Sequence, residues 1–160
     1  MKVRNGFVSN SSSSSYVVID RRELRDKDYL VFVKPDGKLI VDGSCGTTEF
    51  GWGPETISDA WSRLHFAYLQ AVYANKSEWI EMIEDSLKHH CGISEVEWLI
   101  SPSAHWSASG RDKDGICYAY IDHQSCAYEG GNTEMFDSHG NLESFIFGEN
   151  STINLDNDNH

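Results

Sequence analysis

Four groups of residues have types and spacings that chemistry can use. Cys45 sits between Ser44 and Gly46, where glycine lets backbone N–H groups approach a developing oxyanion and a thiolate would be the nucleophile. Its base would have to be an imidazole such as His105 or His123, oriented by Asp122. The second group is Asp122-His123-Gln124-Ser125-Cys126. His123 and Cys126 stand at a His-x-x-Cys spacing that can donate two ligands to zinc, with His89, His90 or Cys91 as further donors. A dedicated zinc site usually shows two paired motifs. Here there is one, and the same residues also read as an acidic turn at a strand end.

The third group, Asp112-Lys113-Asp114-Gly115, has the acidic residues of a calcium loop, as does the tail Asp156-Asn157-Asp158-Asn159. Neither continues to the bidentate Glu that completes such a loop, so a β-turn and a frayed end are expected instead. The fourth group is aromatic. Phe50, Trp52, His105, Trp106 and Tyr128 fall in loop-like sequence, and loop aromatics are typical interface anchors. Phe50, Trp52, Trp106 and Tyr128 are therefore the candidate binding residues, whereas Trp61 and Trp79 lie at helical spacing and are expected in the core. No phosphate-cradling or dinucleotide-binding glycine motif occurs, and no cofactor is expected.

Charge narrows the partners. The chain has 160 residues and a net charge of −12. Residues 1–38 balance at +3 and residues 39–160 at −15, with no Lys or Arg beyond Lys113. Phosphate binding needs clustered cations, so direct nucleic-acid binding is not expected. An acidic body is steered towards a basic protein surface. No apolar run approaches the ~20 residues that cross a bilayer, and no apolar stretch follows Lys2 and Arg4 as a secretory signal requires. Four separated cysteines without a Cys-x-x-Cys pair (Cys45, Cys91, Cys117, Cys126) are expected as reduced thiols in a cytoplasm.

These groups must be positioned by a fold. An apolar content of 39% supports one globular domain. Tyr16 to Ile19 is a β-branched run. Tyr29-Leu30-Val31-Phe32-Val33 and Lys38-Leu39-Ile40-Val41 flank Pro35-Asp36-Gly37, a turn sequence that predicts a hairpin. A glycine-rich loop from Asp42 to Pro54 leads to Thr56, which with Asp59 three residues on predicts a helix cap. Ile57, Ala60, Trp61, Leu64, Ala67, Tyr68, Ala71 and Val72 recur at helical spacing and predict a long amphipathic helix. A second helix runs from Ser77 to a stop at Gly92, with a Glu84–Lys88 pair on its surface. Val96 to Ile100 and Ile116 to Ile121 read as strands, and Leu142 to Phe147 as either helix or strand. The pattern predicts an α+β single domain: a mostly antiparallel sheet with the two main helices packed on one face. Its boundaries are a flexible Ser-rich arm over residues 1–15, the domain over 16–153, and a frayed acidic tail over 154–160.

The arm carries the most distinctive motif, Arg4-Asn5-Gly6-Phe7-Val8-Ser9-Asn10, then Ser11 to Ser15 and Tyr16. Polyserine favours turns and extended chain. The segment reads either as a linker or as a recognition tag anchored by Arg4, Phe7 and Val8. It resembles the opening of a family of accessory proteins of tailed bacteriophages and some bacteria, in which a Phe stands where this chain has Tyr16. The resemblance continues at Glu49-Phe50-Gly51-Trp52, Leu64 to Gln70, Tyr120 to Ser125, Phe145-Ile146-Phe147 and Asp156 to Asn159, so it spans most of the chain. It implies a phage origin, action in the host cytoplasm during infection, and no particular reaction. Two functions stay open: a non-enzymatic acidic module that binds a host or phage protein with a basic surface, or a small Cys/His-dependent hydrolase or zinc-binding protein.

Overall fold

The computed structural model describes residues 2–3, 15–22, 34–51, 54–102, 110–122, 125–127 and 132–155. Its elements run β1 (Lys2–Val3), β2 (Tyr16–Val18), β3 (Lys38–Asp42), β4 (Glu49–Phe50), β5 (Glu55–Ile57), α1 (Ala60–Tyr73), α2 (Ser77–Cys91), β6 (Glu95–Pro102), β7 (Cys117–Ile121), a 3-10 turn Glu134–Asp137, α3 (His139–Phe147) and β8 (Thr152–Leu155).

The fold is α+β, and among the described residues the strands divide between an antiparallel and a parallel sheet, so a mostly antiparallel arrangement is not borne out there. One four-stranded sheet, in the order β1-β2-β8-β5, is antiparallel throughout. The other, in the order β3-β6-β7-β4, is parallel throughout. Parallel neighbours need a crossover of a dozen or more residues, and the chain supplies them. Both α1 and α2 lie between β3 and β6, and residues 103–116 separate β6 from β7. Within β3 and β6 the alternation is plain: Leu39 and Val41 are beside Val96 and Trp98 on the helix side, and Ile40 is beside Glu97 on the other. The turn at Pro35-Asp36-Gly37 forms as its residues require, with Gly37 at φ 84° and its N–H donating to the Lys34 carbonyl at 2.8 Å. The expected partner strand at 29–33 lies outside the described residues, as do the tag anchors Arg4, Phe7 and Val8.

Two boundaries move. Lys2–Val3 pairs with Val17–Val18, and Ser15 is buried with its Oγ 2.8 Å from Ser125 Oγ, so both ends of the predicted arm belong to the folded body. At the other end Asn154 and Leu155 are the last rungs of β8, and Leu155 is buried. The apolar alternation Ile153, Leu155 faces the core, which is why the strand reaches two residues into the predicted tail.

Helix α1 is the centre of the molecule. It was expected to be amphipathic, yet eleven of its fourteen residues are buried. It packs on α2 and α3 and on strands β6 and β7, and side chains from both sheets and all three helices join one hydrophobic cluster around it. Four polar residues of α1 are buried too: Ser62, Arg63, His65 and Gln70. Buried polar groups must be hydrogen-bonded, and the side chains of all four bond to backbone groups of other segments. Arg63 is the largest fully buried side chain among the described residues. Its Nη1 donates to the Phe145 carbonyl at 3.0 Å and the Gly148 carbonyl at 2.6 Å. These lie at the end of α3, where carbonyls lack intrahelical partners and the helix dipole is negative.

The rest of that helix end is satisfied locally. Ser144 O accepts from Gly148 N–H and from Ser151 Oγ, and Ser151 Oγ accepts from Asp20 N–H. A Cβ on Gly148 would stand 2.3 Å from Ser144 O and 2.4 Å from Asp20 O, so no larger residue fits this junction. Asp20 itself accepts from Arg22 and Asn150, and the Arg22 hydrogen bonds hold its carboxyl well below the usual range.

The second helix matches expectation at its end, where Gly92 adopts φ 69° and donates to Lys88 O. Its surface pair does not form as expected: Glu84 Oε1 instead accepts the Trp98 indole N–H at 2.8 Å, and Trp98 stacks on Tyr68 at 4.0 Å. The ambiguous Leu142 to Phe147 segment is helical, because Ser138 caps α3 through Asn141 N–H.

Arg63→Met keeps the length and apolar stem but removes both charge-assisted hydrogen bonds. Leaving the two buried carbonyls without that donor should lower stability by about 3 kcal/mol. Urea denaturation should show this as a lower midpoint at unchanged slope.

Candidate binding groove

Three segments converge at the amino end of α1: the loop after β3, strand β5, and the first turn of the helix. The loop begins at Asp42, whose Oδ1 accepts from Ser44 N–H at 2.8 Å and Ser44 Oγ–H at 2.5 Å, an Asx turn. Partial burial works against the charge of Asp42, but the Ser44 donors and nearby Arg111 hold its pKa below the ordinary value. Next, Gly46 lies so close to the helix that a Cβ there would stand 2.8 Å from Ser62 N and 2.9 Å from Ser62 Oγ. Thr47 N–H donates to Ser62 Oγ at 2.8 Å. The loop is thus fastened backbone-first to α1.

The helix start is not where the sequence pattern placed it. Thr56 belongs to β5, and the cap is Asp59, whose Oδ2 accepts from Ser62 N–H at 2.8 Å. Pairing of β5 with β8, a strand about a hundred positions away in the chain, outweighs the local cap signal at Thr56. Thr56 Oγ1 reinforces that pairing by donating to Asn154 Oδ1.

Between these walls is an open groove of about 320 Å³ lined by Cys45, Thr47, Glu55, Thr56, Ser58 and Asp59 among others. Behind it stands His65, fully buried, with Nδ1 2.9 Å from the Thr47 carbonyl. A carbonyl only accepts, so Nδ1 carries the proton of the neutral ring. Burial pushes the pKa of His65 below its ordinary value, against the opposing pull of the Thr47 and Asp42 carbonyls and the Asp59 and Asp42 charges.

Cys45 is half-buried on the groove wall, and its Sγ lies 3.5 Å from Ser44 Oγ. Among the described residues no imidazole is hydrogen-bonded to it; the buried His65 is held on Thr47 O instead. Asp122 and Cys126 are not brought to this groove. Both are fully buried, in a turn fastened farther along α1, where Gln70 donates to Ser125 O at 2.9 Å and accepts from Ala127 N–H at 2.6 Å. Ser62 and Gln70 are eight residues apart, about 12 Å along the helix. The Asp122 carbonyl accepts from Ser125 N–H, so this segment is a strand-end turn clamped by α1. Cys126 packs in the apolar cluster, and among the described residues no group of three or more His, Cys, Asp or Glu is placed to hold a metal ion. His123 lies outside the described residues.

Of the candidate aromatic anchors, Phe50 is corrected: it is fully buried and packs edge-on against Phe66 with centroids 5.2 Å apart. Its backbone pairs with Ile121 in the parallel sheet, which turns the side chain inward. Trp52, Trp106 and Tyr128, like His105, lie outside the described residues. Trp61 is buried as expected, and Trp79 stacks on Phe136 at 4.2 Å. The sequence Asp112 to Gly115 forms the expected turn, in which Asp112 Oδ1 accepts from Asp114 and Ile116 N–H.

Glu55, Thr56, Ser58 and Asp59 were not recognised from sequence as a site. The signal was there in part, since Pro54 to Asp59 holds four polar side chains in a row of six, but they read as a helix approach. No protein-family model, curated protein or solved structure matches the chain.

Two measurements follow from the groove. Because His65 is buried neutral, protonation favours the unfolded chain, so stability should be full above about pH 6.5 and fall as pH drops below it. His65→Gln should flatten this decline, as read from unfolding free energies between pH 7 and 5. In the native protein, brief alkylation followed by mass spectrometry should label Cys45 well before Cys91 and Cys126, which should react only on unfolding.

Proposed function

We propose that this protein is a non-enzymatic, acidic protein-binding module of the phage accessory type that its sequence resembles, acting on a host or phage protein with a basic surface. The observation that carries this reading is how charge is exposed. Glu55 and Asp59 are exposed at the groove, and Glu78, Glu81 and Asp85 form an exposed stripe along α2 at helical spacing. Several cations are meanwhile engaged by carboxylates of the same chain: Arg22 with Asp20, Lys38 with Glu97, and Arg111 with Asp42. The field that a partner meets is therefore negative, which favours encounter with basic surfaces. The position of Cys45 on the groove wall keeps thiol chemistry as the second reading. The Ser44 hydroxyl beside its sulfur is a weaker base than a thiolate mechanism requires.

Affinity capture from infected-host lysate tests this. A partner with a basic surface should be retained at about 0.1 M salt and released at about 0.5 M, since screening weakens such contacts. Retention of only acidic proteins, or retention indifferent to salt, would count against the reading.

A further inference from the structure

Among the described residues, strand β5 pairs with one strand. Its residues Glu55, Thr56 and Ile57 pair with Leu155, Asn154 and Ile153 of β8, and in the sheet order it is the terminal strand among the described residues. All three of its residues line the groove, together with Cys45, Gly46 and Thr47. Glu55 and Thr56 are exposed and Ile57 is buried, so the strand is anchored at one end and open at the other. An edge strand offers unpaired N–H and C=O groups to an incoming chain, and proteins bind extended peptides in this way.

We propose that the groove accepts an extended, lysine- or arginine-bearing segment of a partner protein, which adds to β5 as a further strand. This rests on the acidic-module reading and specifies where and how the partner is held. The groove lining supplies the charge complement: among the described residues it contains Glu55 and Asp59 and no Lys or Arg. Asp59 uses Oδ2 for the helix cap, and its exposed carboxylate stays available to a cation. Thr47, Thr56 and Ser58 add hydroxyls that suit a polar chain. A second copy is the wrong occupant, because pairing β5 with β5 would set Glu55 and Asp59 against their own kind on two chains that each carry −12. Like charges so opposed are destabilising.

The probe is a labelled hexapeptide of alternating lysine and valine, compared with the same peptide N-methylated at alternate residues. Methylation removes strand hydrogen bonds and keeps the charge. The full chain should bind the unmodified peptide at least about tenfold more tightly than the methylated one, because several backbone hydrogen bonds are lost. Amide exchange followed by NMR should show new protection within residues 55–57. The double substitution Glu55→Gln with Asp59→Asn should weaken binding by roughly tenfold through loss of two rim charges. It leaves the fold intact, because Asn caps a helix about as well as Asp. Equal binding of both peptides, or protection elsewhere on the chain, would overturn strand addition while the acidic-module reading stood. If neither peptide binds, strand addition is also overturned, and the salt-dependent capture of a basic partner decides the module reading by itself.

Discussion

The structure depends on a buried guanidinium. A cation taken out of water is costly unless its donors are met, and Arg63 meets the carbonyls of Phe145 and Gly148 at the end of α3, the second of which also accepts from Ser151 N–H. The arrangement is reciprocal: the helix end needs donors, and the arginine needs acceptors at negative potential. Through this contact the central helix holds the α3–β8 turn, and that turn holds Asp20 at the end of β2 through Ser151. One side chain thereby ties α1 to the antiparallel sheet.

The other buried polar residues of α1 repeat the device. Ser62 and His65 hold the Asp42–Thr48 loop, and Gln70 holds the Ser125–Ala127 turn. Each uses a side chain to satisfy backbone that has no ladder of its own, which is the condition for burying irregular chain. The groove is a by-product of this scheme. The loop is pulled onto one side of the helix start and β5 is pulled onto β8 on the other, so the space between them remains open. Its acidic lining and the strand that ends the sheet among the described residues meet there, and that coincidence supports the proposed binding.

Much of the helical architecture was legible in the chain. The second helix and its glycine stop, the turn at Gly37 and the turn at Asp112 are decided by residues within a few positions of one another. The strand runs at Tyr16, Lys38, Val96 and Cys117 follow from β-branched and apolar alternation. Sheet direction was not legible, because local pattern is the same for parallel and antiparallel strands and only the crossover path distinguishes them. The environment of α1 was misjudged for a related reason. Its polar residues Arg63 and Gln70, seven positions apart on one face, suggest exposure by composition, as does His65 elsewhere on the helix, and only the distant backbone groups that they satisfy make burial possible. Phe50 was misjudged by its glycine-rich surroundings, which signal a loop until β7 is seen to pair with it.

The sequence by itself determined the α+β class, the acidic character, the positions of most helices and turns, and the candidate thiol at Cys45. These depend on composition and on short-range spacing, which are properties of the chain in any conformation. Tertiary structure alone decided that Cys45 and Asp122 lie at different levels of α1, that Thr56 is a strand residue, and that Glu55 and Asp59 share a groove. Each of these is a relation between segments tens to a hundred residues apart, set by burial and by hydrogen-bond satisfaction across the fold, and no local pattern encodes it.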